Sequence, residues 1–227
     1  MAKLEKLIDR RGITLPDSEE IVFIKSTLKD EGDATAYTHG TQIYLGDSLI
    51  DILKSTEEDI ATAGVYILAH ELFHCLTRSN PDFRASMYEL INFEVQDDDY
   101  DFGPSVSERI ISNPDVEHHN SSAEFTIDDE KQRCTVVFYA KEFFEKPGDN
   151  FFDMGGTGLV PVDNLDKIID SEQASDFWDV FGSNTDYVID PEETMADNFG
   201  FLVAYGRDGM EYKTPEIIDG ILAKLGA

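Results

Sequence analysis

Apolar residues recur at helical spacing most clearly over residues 57–78, where Ile60, Val65, Ile67, Leu68, Leu72 and Leu76 keep the segment apolar and largely buried. Ser55-Thr56-Glu57-Glu58 reads as a capping box ahead of it, Ser55 with Glu58. One long helix follows. Upstream, residues 1–11 alternate charge and leucine as an amphipathic helix. Residues 17–30 predict a second helix, opened by Asp17-Ser18-Glu19-Glu20 and ended in a turn by Lys29-Asp30-Glu31-Gly32-Asp33. An extended segment over 34–45 and a short helix near 47–54 then lead into the long helix.

Beyond Arg78 the pattern changes. Ser79-Asn80-Pro81-Asp82 stops one helix and caps another over about 83–95, and Pro104-Ser105 opens a short helix to Ile111. Ala123-Glu124-Phe125-Thr126-Ile127 and Cys134-Thr135-Val136-Val137-Phe138-Tyr139 flank Asp128-Asp129-Glu130-Lys131 as a hairpin. Lys146-Pro147-Gly148-Asp149-Asn150 is a loop. Residues 151–161 are glycine-rich but lack the lysine of a P-loop and the G-x-G-x-x-G spacing, so they read as a plain connection, with a mobile rim of the cleft as the alternative. Helical turns cover 163–181, around the sole Trp178. Asp190-Pro191 starts a helix that runs to about Tyr205, and Thr214-Pro215-Glu216 caps a last one to Leu225. There is no internal repeat.

With 227 residues, 41% of them apolar, the chain can bury one large core or two lobes that share a cleft. Its 47 acids against 18 bases give a net charge of −29, which repels nucleic acid and anionic lipid. The acidic run Gln96-Asp97-Asp98-Asp99-Tyr100-Asp101 lacks the glycine and glutamate offsets of an EF-hand and reads as solvated surface. The N-terminus has no apolar core of signal-peptide length, and no stretch approaches the roughly 18 apolar residues of a membrane span. The expectation is a cytoplasmic protein with no nucleic-acid or membrane partner. Two cysteines, Cys75 and Cys134, are too few for a disulfide framework and read as reduced core thiols.

The long helix carries His70-Glu71-Leu72-Phe73-His74. Residues four apart share one helical face, so His70 and His74 can offer two imidazoles to one metal ion. Glu71 can reach a water on that ion. Two neutral nitrogens, a carboxylate base and an open position make a zinc hydrolase site. A catalytic zinc wants a third protein ligand. One class of these enzymes has a glycine three residues and a histidine six residues past the second ligand. Thr77 and Asn80 stand there, which excludes that class. The other class takes a glutamate from a later helix. Asp190-Pro191-Glu192-Glu193-Thr194-Met195-Ala196-Asp197 supplies Glu193 as ligand and Asp197, four residues on, to hold the far nitrogen of a ligand histidine. Glu192 competes for the ligand role but has Ala196 four residues on.

His70-Glu71-x-x-His74 followed by Glu193-x-x-x-Asp197 resembles the gluzincin, thermolysin-like metallopeptidases. The resemblance implies His70, His74 and Glu193 as ligands of one Zn2+ per chain, Glu71 as general base and Asp197 as partner of the first histidine. In that superfamily an extended strand ahead of the metal helix pairs with a peptide substrate. Ala34-Thr35-Ala36-Tyr37-Thr38-His39-Gly40-Thr41-Gln42-Ile43-Tyr44-Leu45 takes that place. The 118 residues between His74 and Glu193 are a longer spacer than thermolysin has.

The loop Ser112-Asn113-Pro114-Asp115-Val116-Glu117-His118-His119-Asn120 offers His118 or His119 as an oxyanion donor, with Tyr187 as a rival. The expected fold is α+β and zincin-like: a mixed sheet with the metal helix and a mainly helical lower lobe. One catalytic domain is expected, its upper lobe over about 1–78, an insertion over about 79–181, and the third-ligand and C-terminal helices over about 182–227. The expected activity is zinc-dependent hydrolysis of a peptide or protein substrate. The alternatives are an inert zinc-stabilised interaction protein and a zinc hydrolase of a non-peptide amide.

Overall fold

Leu4 and Ile8, four residues apart, are buried on one side of the first helix, α1 (Ala2–Arg11), while its charged positions face water. The structure is a computed structural model that describes residues 2–31, 35–142 and 154–226. It divides into two units, Met1–Leu90 with Met195–Ala227, and Ile91–Thr194.

The first unit holds a three-stranded sheet in the order β1 (Val22–Lys25), β3 (Gln42–Leu45), β2 (Ala36–His39). β1 runs parallel to β3, and β2 antiparallel to it. The helix expected over 17–30 is therefore replaced by a strand. Val22-Phe23-Ile24 is β-branched and aromatic, and it gains a ladder on β3 that an isolated helix would not. The extended segment 34–45 folds back on itself as a hairpin, because Gly40 adopts φ +55° and lets the chain reverse between His39 and Gln42. Ala34 lies outside the described residues.

Helix α2 (Asp47–Leu53) leads into α3 (Glu58–Ser79). The capping box does not form: Ser55 Oγ accepts the Glu57 N–H at 3.2 Å, and the N-cap, Glu57, makes no side-chain cap bond. Ile60, counted in the apolar pattern, is 41% exposed. From Leu68 to Thr77 every residue is buried. α3 is the one helix, among the described residues, long and apolar enough to cross a membrane, and 72% of its most apolar window is buried inside the fold. Its apolar run, longer than the sequence pattern implied, thus serves a core. Arg78 ties its C-terminal end to the β2 hairpin, donating to Thr38 Oγ1 and to the Gly40 carbonyl. α4 (Pro81–Tyr88) closes with a 3-10 turn over Glu89–Ile91. The helix expected to reach residue 95 stops there because Asn92 takes φ +66°, a left-handed conformation that ends a helix.

The second unit is built on an antiparallel sheet, which contains the expected hairpin. Its order is β4 (Glu94–Val95), β5 (Ser121–Ile127), β6 (Glu130–Ala140), β7 (Gly155–Pro161) and β8 (Ile169–Asp170). Asp128 and Asp129 both take positive φ, 53° and 64°, giving the two-residue turn whose twist suits a hairpin. The helix α5 (Pro104–Ser107) ends well before Ile111, and Ile110 instead bridges to Tyr139 of β6. The glycine-rich connection is in fact strand β7 from Gly155 onward. A Cβ on Gly158 would lie 2.8 Å from the Tyr139 ring and 2.7 Å from Ile168, so only glycine fits that register. The loop expected over 146–150 lies outside the described residues. Within 163–181, strand β8 and a 3-10 turn precede the short helix α6 (Phe177–Phe181). Phe93, Phe125, Phe177 and Phe181 pack ring against ring at 4.8–6.3 Å. Both cysteines are buried thiols. Burial first, then Asp163, pushes Cys134 up to about 12.

Asp176 pins β5. Its carboxylate accepts the Thr126 N–H at 2.7 Å and the Thr126 hydroxyl at 2.5 Å, with Lys131 Nζ at 3.5 Å. Burial alone would raise its pKa, but the Thr126 bonds and Lys131 outweigh burial and hold it below the usual carboxylate value. The folded pKa is depressed, so this stability is present above the unfolded pKa of about 3.9 and is lost as pH falls through the folded value. Asp176→Asn is expected to lower unfolding stability by about 1 kcal/mol at pH 7, and by less below pH 4. Urea midpoints of both proteins across that range check it; a constant difference would contradict the linkage.

Candidate metal centre

Two helices build the centre, and the border between the units falls inside the second of them, between Thr194 and Met195. α3 supplies His70, Glu71 and His74, all buried. The rings of His70 and His74 sit 4.8 Å apart, centroid to centroid, with planes at 79°. Helix α7 (Pro191–Tyr205) supplies the acids. Pro191 opens it as expected, and Asp190 Oδ1 accepts the Glu192 N–H at 2.8 Å, which satisfies a donor of the first turn. α7 lies close on α3 because residue 200 is glycine: a Cβ there would meet the Tyr66 carbonyl at 3.0 Å and its ring at 2.9 Å. Phe199 packs on Phe73, and Phe201 stacks on Tyr66 at 4.9 Å.

This packing brings Asp197 against α3. Its Oδ1 lies 2.9 Å from His70 Nδ1 and accepts the Tyr66 hydroxyl at 2.5 Å. A carboxylate only accepts, so Nδ1 is the donor of this bond, and a neutral His70 then has its lone pair on Nε2. Glu193 stands one helical turn before Asp197. α7 runs unbroken through the border between the units, so Glu193 travels with the helix that carries Asp197. One ring nitrogen from each of His70 and His74 and one carboxylate oxygen of Glu193 all lie within 4.8 Å of one another. A Glu71 oxygen lies within the same distance of a His74 ring nitrogen. Glu193, not Glu192, joins the histidines. Glu192 is buried one residue earlier, beside the Asp190 cap.

The donor set fits a borderline divalent cation: two imidazoles, one carboxylate, and no thiolate. Charge supports the fit. Among the described residues the buried charged side chains include six carboxylates (Glu71, Asp115, Asp190, Glu192, Glu193 and Asp197) and no lysine or arginine. Buried carboxylates in that excess are costly unless a cation joins them.

The oxyanion candidates fall differently. His118 is exposed, with Nδ1 3.2 Å from Asp99 Oδ2 at the acidic run. His119 instead lines a cavity of about 250 Å³ in the second unit, with Asn113, Val116, Phe138, Ile189 and Asp190 among its walls. Tyr187 is half-buried; its N–H is accepted by Thr185 Oγ1 and its carbonyl accepts the Thr194 hydroxyl. Two residues that sequence reading passed over hold the acids. Tyr66, four residues before His70, bonds Asp197, and helical spacing alone could have singled it out. Asn113 donates to Glu193 Oε1 at 2.5 Å, and nothing in the pattern distinguished it from an ordinary turn residue.

Comparison with protein-family models, with curated proteins and with solved structures finds no match.

Glu193→Ala is expected to lose zinc, while Glu192→Ala keeps about the parent's content and affinity. Metal analysis after gel filtration, with chelator competition for affinity, checks this. Equal zinc in both variants would move the third donor elsewhere.

Proposed function

We propose that the chain is a zinc-dependent hydrolase of peptide bonds. The observation that carries this reading is the buried donor set, His70, His74 and Glu193 within 4.8 Å, with Glu71 beside His74. Bound there, zinc would supply Lewis acidity, lowering the pKa of water toward neutrality and polarising a carbonyl. The remaining work falls to the chain. Asp197 keeps His70 in the tautomer with its lone pair on Nε2. Glu193 adds the anionic donor. Glu71 takes a proton from water as the new C–O bond forms and returns it to the amide nitrogen as the C–N bond breaks. A carboxylic acid and an amine leave, and the Glu71 carboxylate is regenerated.

A purely structural metal site argues less well. Such sites are normally closed by four protein ligands and have no use for a carboxylate in the Glu71 position. Two imidazoles and one carboxylate also suit non-haem iron(II), so the identity of the metal is part of the test.

Glu71→Gln is expected to keep about one zinc per chain and to lose at least about a hundredfold in cleavage of a mixed peptide library. Metal content and product analysis by mass spectrometry check it. Cleavage at the parent's rate sinks the mechanism. Iron in place of zinc sinks the zinc assignment and leaves hydrolysis to the cleavage assay. Zinc with no peptide cleavage, but with hydrolysis of acyl-amide model compounds, would move the substrate to a non-peptide amide.

A further inference from the structure

We propose that Asn113 is a positioning residue that orients the Glu193 carboxylate for the metal. The inference rests on the zinc reading above and adds a residue that reading does not use.

Each atom of the Asn113 amide is assigned by its partner. Asn113 Oδ1 accepts the Asp115 N–H at 3.0 Å. Asn113 Nδ2 donates to Glu193 Oε1 at 2.5 Å. The Glu193 carboxylate can only accept, so the amide cannot be turned the other way without losing both bonds. The donor is held by a stiff frame. Asn113 occupies the first position and Pro114 the second of a turn in which Val116 N–H is accepted by the Asn113 carbonyl at 3.1 Å. Proline removes one backbone torsion, and the residue before proline is confined to extended conformations. Two residues upstream, the Ile111 N–H is accepted by the Phe138 carbonyl at 2.9 Å, and Ile110 bridges Tyr139, which fastens the turn to β6. The amide thus reaches Glu193 from the sheet of the second unit.

The physical consequence is selection of one carboxylate orientation. Glutamate has three rotatable bonds, and an unrestrained carboxylate would sample several rotamers. A hydrogen bond to Oε1 restrains that sampling and holds the carboxylate in one orientation near the two histidines. Partners of this kind beyond the ligands themselves change metal affinity by about tenfold to hundredfold.

Two substitutions separate positioning from shaping the turn. Asn113→Asp keeps the acceptor for the Asp115 N–H but puts an oxygen where the donor was. Asn113→Ala removes both. Zinc affinity is read by chelator competition, cobalt(II)-substituted protein by its visible absorption, and the fold by thermal unfolding of the metal-free protein. Both variants should bind zinc at least about tenfold more weakly and show an altered cobalt spectrum. In Asn113→Asp the metal-free protein should still unfold in one cooperative transition, as the parent does. Zinc affinity in Asn113→Asp equal to or above the parent's overturns the proposal, as does a loss confined to Asn113→Ala with a lowered melting temperature. A parent chain that binds no zinc refutes the metal centre itself; a parent that binds zinc, with unchanged variants, refutes the role of Asn113 alone.

Discussion

The bond between Asp197 and His70 is the constraint on which the centre depends. It joins α3 to α7 through buried groups and fixes one imidazole in a single tautomer. Tyr66 shares the same carboxylate oxygen. The surrounding packing serves this approach: glycine at 200, the Phe73–Phe199 contact and the Tyr66–Phe201 stack all bring the two helices together. Once Asp197 is placed, helical geometry carries Glu193 one turn toward the histidines.

Charge sets the second condition. Six buried carboxylates, with no buried lysine or arginine among the described residues, are a demanding load for a core, since each needs hydrogen bonds or a cation to stay ionised. In the proposed reading a divalent cation offsets part of that load, which couples metal binding to the stability of the metal-free chain. The same charges bear on the chemistry, because Glu71 works as a base only while ionised.

Within the second unit, which carries Glu193, the sheet supplies rigidity. Its long β6 strand pairs with β5 on one side and β7 on the other, and the Asn113 turn hangs from β6 through Ile110 and Ile111. A loop fastened in this way can hold a donor at a defined distance, which an unanchored loop of the same sequence could not. The adjoining cavity, walled by Ile110, Val116, Phe138 and Ile189, is a product of the same anchoring.

Local chemistry alone determined a good deal of this protein. The spacing of His70, Glu71 and His74, the Asp190-Pro191 start of α7, the placing of Glu193 and Asp197 four residues apart, and the β5–β6 hairpin are all short-range patterns. Such patterns act through periodicity and turn preference within a few residues. Tertiary structure decided the rest. Val22-Phe23-Ile24 became a strand only because β3 was there to pair with it. Gly155–Pro161 became an interior strand because Tyr139 and Ile168 left room for glycine alone at 158. Glu193 was preferred over Glu192, and Asn113 was brought to Glu193, by packing between segments far apart in the chain. Each of these is a contact between residues ten or more positions apart, beyond the few residues over which periodicity and turn preference act.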